Sequence, residues 1–118
     1  MGVTKQTLEP GNGVDFPQVK DNVAIHYTGW LFNPNKPENK GDQFDSSATR
    51  GPLKVAIGTG KVIQGWDEGV PQLSLGEKAL LTITGDYAYG PQGFPGLIPP
   101  NATLLFEVKL ISINGKSI

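Results

Sequence analysis

The sequence predicts a small α+β domain, built mainly of short β-strands with a single short helix. Three observations carry this. At 118 residues the chain is long enough for one hydrophobic core and too short for two. Its 16 glycines and 10 prolines recur along the whole length and cut the apolar segments short, the pattern of strands joined by tight turns. Within the segments so delimited, apolar residues repeat with a period of two almost everywhere and with a helical period in one place.

Taken in order, residues 3–8 predict an edge strand. Val23, Ile25 and Tyr27 alternate with Ala24, His26 and Thr28, as in a half-buried strand, and residues 54–57 read as another. The helix is expected over residues 66–73, where Trp66, Val70 and Leu73 share one face. Ala79, Leu81 and Ile83 return to the period of two, as do Leu104, Phe106, Val108 and Leu110, with Glu107 and Lys109 pointing the other way. That makes about five strands. Residues 33–43, with two Pro and three Asn, are expected to be an irregular solvated insertion. Residues 90–101, with four Pro and three Gly, form a second irregular segment, yet Phe94, Leu97 and Ile98 lie within it. Apolar side chains on a loop cap a core or line a site.

Composition removes several function classes. Ten basic and eleven acidic residues leave a net charge of -1 without a Lys/Arg cluster, so neither nucleic acid nor an anionic membrane is an expected partner. Without cysteine there is no disulfide, thiolate zinc site or Cys nucleophile. No stretch approaches the roughly 18 apolar residues of a membrane span, the N-terminus lacks a signal-peptide core, and Gln6 stands where a myristoylation motif wants Ser or Thr. The Asn101-Ala102-Thr103 sequon has meaning only in a secreted chain. The expectation is a cytoplasmic protein, monomeric because no heptad or long apolar stripe offers a dimer seam.

Motifs for ionic chemistry are equally scarce. Gly58-Thr59-Gly60-Lys61 fails as a P-loop, with Val55 and Val62 at required positions, and as a dinucleotide fingerprint, with Ile63 in place of the third glycine; it reads as a turn. His26 is the sole histidine and has no companion for a metal site, so no metal or other cofactor is expected. Asp45, Asp67, Glu68 and Asp86 offer carboxylates, but spacing selects no acid/base pair among them. What stands out is a set of aromatics near turns: Tyr27, Phe44, Trp66, Tyr87, Tyr89, Phe94 and Phe106. Core packing and a ligand pocket both account for them.

The arrangement of these residues resembles a known family. Ile25-His26-Tyr27-Thr28-Gly29, Phe44-Asp45-Ser46-Ser47, residues 62–69 (VIQGWDEG), Asp86-Tyr87-Ala88-Tyr89-Gly90, Ile98-Pro99-Pro100 and Leu105-Phe106-Glu107-Val108 are similar, in this order, to the motifs of FKBP-type peptidyl-prolyl isomerases. The resemblance covers essentially the whole chain as one domain, residues 1–118. It implies an antiparallel sheet of about five strands wrapped around one short helix, X-Pro isomerase activity on proline-containing peptides and proteins, and binding of tacrolimus or rapamycin. Drug-dependent partners so implied are calcineurin or the TOR kinase. Trp66 is expected as pocket floor, with walls from Tyr27, Phe44, Val62, Ile63, Tyr89, Ile98 and Phe106, and with Asp45 and Arg50 paired at the rim. The Ile63 amide and Tyr89 hydroxyl are expected to hold ligand carbonyls. Of these, Tyr27, Phe44, Asp45, Trp66, Tyr89 and Phe106 are the candidate catalytic residues, and Leu53, Phe94 and Leu97 join the candidate ligand contacts. The chain departs from the family pattern at Leu53 (commonly Phe), Phe94 (commonly His), Lys61 (commonly acidic or polar), Gly85 (often Pro), in a shorter 45–52 loop and in a longer 33–43 segment. Two other readings remain open: a non-catalytic binding module of the same fold, and a β domain stacking carbohydrate on exposed aromatics.

Overall fold

Alternating apolar side chains on a few strands account for most of the architecture. The computed structural model describes residues 2–117. Seven strands form one sheet: β1 (Val3–Glu9), β2 (Asn22–Phe32), β3 (Lys40–Ser46), β4 (Leu53–Ala56), β5 (Lys78–Ile83), β6 (Leu104–Ile113) and β7 (Lys116–Ser117). The order is β1-β5-β6-β2-β3, with β4 beside β3 on the outer edge of β2 and β7 folded back on β6; every pairing is antiparallel. The edge position of β1 agrees with its expected role. The predicted α+β class holds, with two strands more than the count of about five.

The two additional strands have different causes. β3 holds one large apolar residue, Phe44, in an otherwise polar run, so it carries no hydrophobic alternation. Its pairing comes from β2, whose edge it extends from Thr28↔Ser46 to Phe32↔Lys40 through two register shifts, and the Lys40 ammonium lies 4.4 Å over the Trp30 ring. Residues 40–43 are thus strand, not irregular insertion, and only 33–39 form the excursion. β7 is two residues long and follows a tight turn in which Asn114 and Gly115 both take positive φ.

One face of the sheet closes on the short helix α1 (Gln64–Gly69). Ile25, Leu81, Ile83, Leu104, Val108 and Leu110 are fully buried there against Trp66, Val70 and Leu73. Gly65 and Gly69 make this approach possible: a Cβ on Gly65 would lie 2.4 Å from Ile83 Cγ2, and one on Gly69 would lie 3.0 Å from Leu81 Cδ1. The helix is shorter than the expected 66–73. Pro71 lacks the N–H for a further turn, and the chain tightens into a 3-10 turn at Val70–Gln72.

A buried carboxylate fastens the edge strand. Glu77 accepts the Ser74 N–H (2.9 Å), the Thr7 hydroxyl (2.7 Å) and the Lys5 ammonium (2.9 Å), tying β1 to the turn before β5. Burial alone would raise its pKa, but these donors outweigh burial and hold the carboxyl below its ordinary range.

Candidate active site

Between α1 and the sheet lies a cavity of about 200 Å³. That is about the volume of six or seven waters, enough for a pyrrolidine ring with backbone on either side. Trp66 projects from α1 as its floor, only 5% exposed. Tyr27 on β2, Phe44 on β3 and Phe106 on β6 wall it. The rings meet edge to face: Tyr27 and Trp66 at 4.9 Å between centroids, Trp66 and Phe106 at 5.0 Å, Phe44 and Phe106 at 5.4 Å. Such pairs stabilise one another beyond their burial and leave little freedom to either ring.

Gly29 lets two of these rings come together. It faces Phe106 across the β2–β6 ladder and Asp45 across the β2–β3 ladder. A Cβ on Gly29 would fall 2.7 Å from the Phe106 ring and 2.8 Å from that of Phe44. Ser47 anchors the other end of the Phe44-Asp45-Ser46-Ser47 motif, its hydroxyl accepting the Tyr27 N–H at 2.9 Å.

The rim is an ion pair built around a phenol. Arg50 pairs closely with Asp45, donates to the Tyr27 hydroxyl at 3.0 Å and reaches the Ser46 carbonyl at 2.9 Å, while the Tyr27 hydroxyl donates to Asp45 at 3.0 Å. Burial, and then the Asp45 carboxylate, push the Tyr27 phenol above its ordinary pKa. Burial followed by the charge of Asp45 does the same to Tyr89. Both phenols therefore stay neutral near pH 7.

Leu53, Val62, Ile63 and Tyr89 complete the wall. Among the described residues, neither the Ile63 N–H nor the Tyr89 hydroxyl has a hydrogen-bond partner, and the buried Trp66 indole N–H has none. The loop bearing Val62 and Ile63 is held by Asp67, whose carboxylate accepts the N–H groups of Gly58 (2.8 Å) and Gly60 (2.9 Å), both at φ +78°. The glycine-rich turn thus closes on an anion supplied by its own chain.

Not every predicted contact reaches the cavity. Ile98 is buried in the core, and Arg50 meets the site through Asp45 and Tyr27. Phe94 and Leu97 are 50% and 46% exposed on the loop beside it; Phe94 stands edge-on to Tyr89 at 6.0 Å. Lys61 also lines the cavity, outside the expected contacts; its place next to Val62 and Ile63 is the signal the sequence offers for it. The ionic candidates are dispersed. His26 is exposed and bonds Ser47 at 3.0 Å, Glu68 takes the Gln64 amide, and Asp86 takes the Thr84 hydroxyl. No group of His, Cys, Asp and Glu suited to a metal occurs among the described residues.

Comparison with known proteins agrees with this geometry. The family model for FKBP-type peptidyl-prolyl cis-trans isomerase matches residues 13–111. An Aspergillus fumigatus protein named FK506-binding protein 1B is 62% identical, over 96% of this chain and 95% of its own length. A Schizosaccharomyces pombe peptidyl-prolyl cis-trans isomerase is 60% identical over 98% of both chains. FK506-binding protein 1 of Saccharomyces cerevisiae is 57% identical, over 91% of this chain and 89% of its own.

Proposed function

Since the chain belongs to the FKBP-type peptidyl-prolyl cis-trans isomerase family and is an isomerase of X-Pro bonds, we propose that catalysis takes place in the aromatic cavity with the proline ring seated on Trp66. Tyr27, Phe44 and Phe106 enclose the ring, and the unpartnered Ile63 N–H and Tyr89 hydroxyl orient the neighbouring carbonyls. Asp45 and Arg50 hold Tyr27 in position at the rim.

Rotation about a peptide bond faces a barrier of about 18–20 kcal/mol because it breaks resonance between nitrogen and carbonyl. Unaided X-Pro bonds take roughly tens to hundreds of seconds. A twisted amide has lost that resonance and much of its charge separation. A dry apolar site therefore disfavours the planar ground state more than the twisted transition state. Lowering the barrier by about 6 kcal/mol gives on the order of 10⁴-fold acceleration, and no bond is broken, so neither nucleophile nor proton transfer is required. The observation that carries this reading is the four-ring cluster around a cavity whose one carboxylate, Asp45, is already engaged by Arg50 and Tyr27.

The same cavity is the proposed receptor site for FK506 (tacrolimus) and rapamycin, supported by the names of the relatives from Aspergillus and budding yeast. Exposed Phe94 and Leu97 would join the bound drug in a composite surface, with calcineurin or the TOR kinase as the drug-dependent partner. A cysteine-free chain needs no oxidising compartment, which suits a cytoplasmic location for the chain, proposed here to act as a monomer; no helix among the described residues is long and apolar enough to cross a membrane. The test is a protease-coupled assay on an Xaa-Pro tetrapeptide with increasing tacrolimus or rapamycin. Activity should fall to the uncatalysed rate at one equivalent of drug. Turnover that persists under saturating drug would move catalysis out of this cavity.

A further inference from the structure

A second hollow adjoins the aromatic cavity and differs from it in charge. It is an open groove of about 420 Å³ lined by Asn22, Lys54, Val55, Ala56 and Lys61. Strand β4 forms a continuous wall through both: Leu53 faces the cavity, and the next three residues line the groove. Lys61 belongs to both linings and so marks the boundary they share. A chain whose proline occupies the cavity therefore has a path along β4 between Lys61 and Lys54.

No carboxylate pairs with the charge there. Lys5, Lys40, Arg50, Lys78 and Lys116 each pair with a carboxylate; among the described residues the side chains of Lys54 and Lys61, like those of Lys20, Lys36 and Lys109, have neither an ion pair nor a hydrogen bond, and Lys54 and Lys61 are the two that share one groove. No carboxylate belongs to the groove lining; Asp67, which accepts the Gly58 and Gly60 amides, and Asp21, which accepts the Gln18 N–H and the Asn114 amide, keep their charge but lie outside it. The groove thus presents two ammonium groups without an ion-pair partner over an apolar base of Val55 and Ala56.

We propose that this groove is a specificity subsite that favours substrates carrying an acidic side chain within two residues of the isomerising proline, with Lys61 as its main determinant and Lys54 as its second. The inference rests on the proline occupying the cavity as described above. Both lysines are solvent-exposed, so each contributes modestly and the gain is screened by salt.

The test uses peptides of fixed length with one Gln-to-Glu exchange at each position from two before to two after the proline. For each, kcat/KM is measured with the unmodified protein, Lys61→Glu and Lys54→Glu, at low and high salt. The Glu-to-Gln ratio should reach roughly two- to five-fold at one position at low salt and collapse toward one at about 1 M salt. It should fall below one in Lys61→Glu and be reduced in Lys54→Glu. Equal rates for Glu and Gln at every position, or a preference unchanged by both substitutions, would overturn the subsite while leaving the isomerase intact. Turnover of the all-neutral peptide that persists under saturating tacrolimus would instead refute the seating of proline in the cavity, and the subsite with it.

Discussion

Replacing Gly29 with alanine should cripple the enzyme although Gly29 touches no reacting atom. The added Cβ would lie 2.7 Å from Phe106 and 2.8 Å from Phe44, whereas carbon atoms pack at about 3.5–4.0 Å. Each ring must therefore retreat by roughly 1 Å, and neither has an easy exit. Phe106 is pinned edge-on between Trp66 and Phe44 in a closely packed core, where overpacking by one methyl group costs about 1–3 kcal/mol. The cavity side is the one place with free volume, so the rings should move into the space that proline needs. A displacement of about 1 Å at a positioning group costs on the order of 100-fold in rate. Gly29 does not have positive φ, so alanine suits its backbone and the effect isolates the rings. Protease-coupled kcat/KM and thermal unfolding, measured on the same preparation, should show activity down by about 100-fold with Tm lowered by several degrees for a loss of about 1–3 kcal/mol. A folded variant that keeps activity within two-fold of the unmodified protein would refute the claim that these rings form the working walls.

Further outcomes follow from the same contacts. Trp66→Leu should lower kcat/KM at least ten-fold yet cost only about 2 kcal/mol of stability, less than an ordinary large core truncation, because it also removes a buried indole N–H that has no acceptor; urea unfolding beside the activity assay checks both. Asp67→Ala frees the Gly58 and Gly60 N–H groups, which should cost about 2 kcal/mol and raise KM by loosening the loop that carries Val62 and Ile63. Glu77 has a pKa lowered in the folded state from the ordinary 4.5, so its stabilising effect is complete above that value and is lost as pH falls through the lower, folded one. Glu77→Gln should therefore be destabilised by about 2–3 kcal/mol at pH 7, and the gap to the unmodified protein, followed by urea midpoint, should narrow as pH drops below about 4.5.

Legibility in the sequence followed the source of each element's stability. β6 and β5 were readable because their own side chains alternate into the core: Leu104, Phe106, Val108 and Leu110 on one, Ala79, Leu81 and Ile83 on the other. β3 was not, since a neighbour's unpaired edge dictates its conformation and its residues Lys40 to Gln43 carry no pattern of their own. The helix was readable from Trp66, Val70 and Leu73, but its end required weighing Pro71, which interrupts that stripe without breaking its spacing. At the site, the motif resemblance named Tyr27, Phe44, Trp66, Tyr89 and Phe106, which line one cavity, and Ile98, which is buried in the core instead. It did not anticipate Gly29, whose contribution is the absence of a side chain, or Lys61, which acquires its place from a cavity formed by distant strands. Phe94 and Leu97 lie on a loop whose course is set by turns, and periodicity says nothing about whether such residues face the cavity or solvent.

The central claim is that an apolar aromatic cavity, without proton transfer, performs the isomerisation. The most direct test is kcat/KM on a neutral Xaa-Pro peptide from pH 6 to pH 9. Tyr27 and Tyr89 both have pKa values raised above 10.0, Asp45 is engaged by Arg50 and Tyr27, and His26 lies outside the cavity lining. The predicted profile is flat within about two-fold across that range. A bell, or a sigmoid spanning about ten-fold or more, would show an ionisable group at work in the rate-determining step and contradict the account.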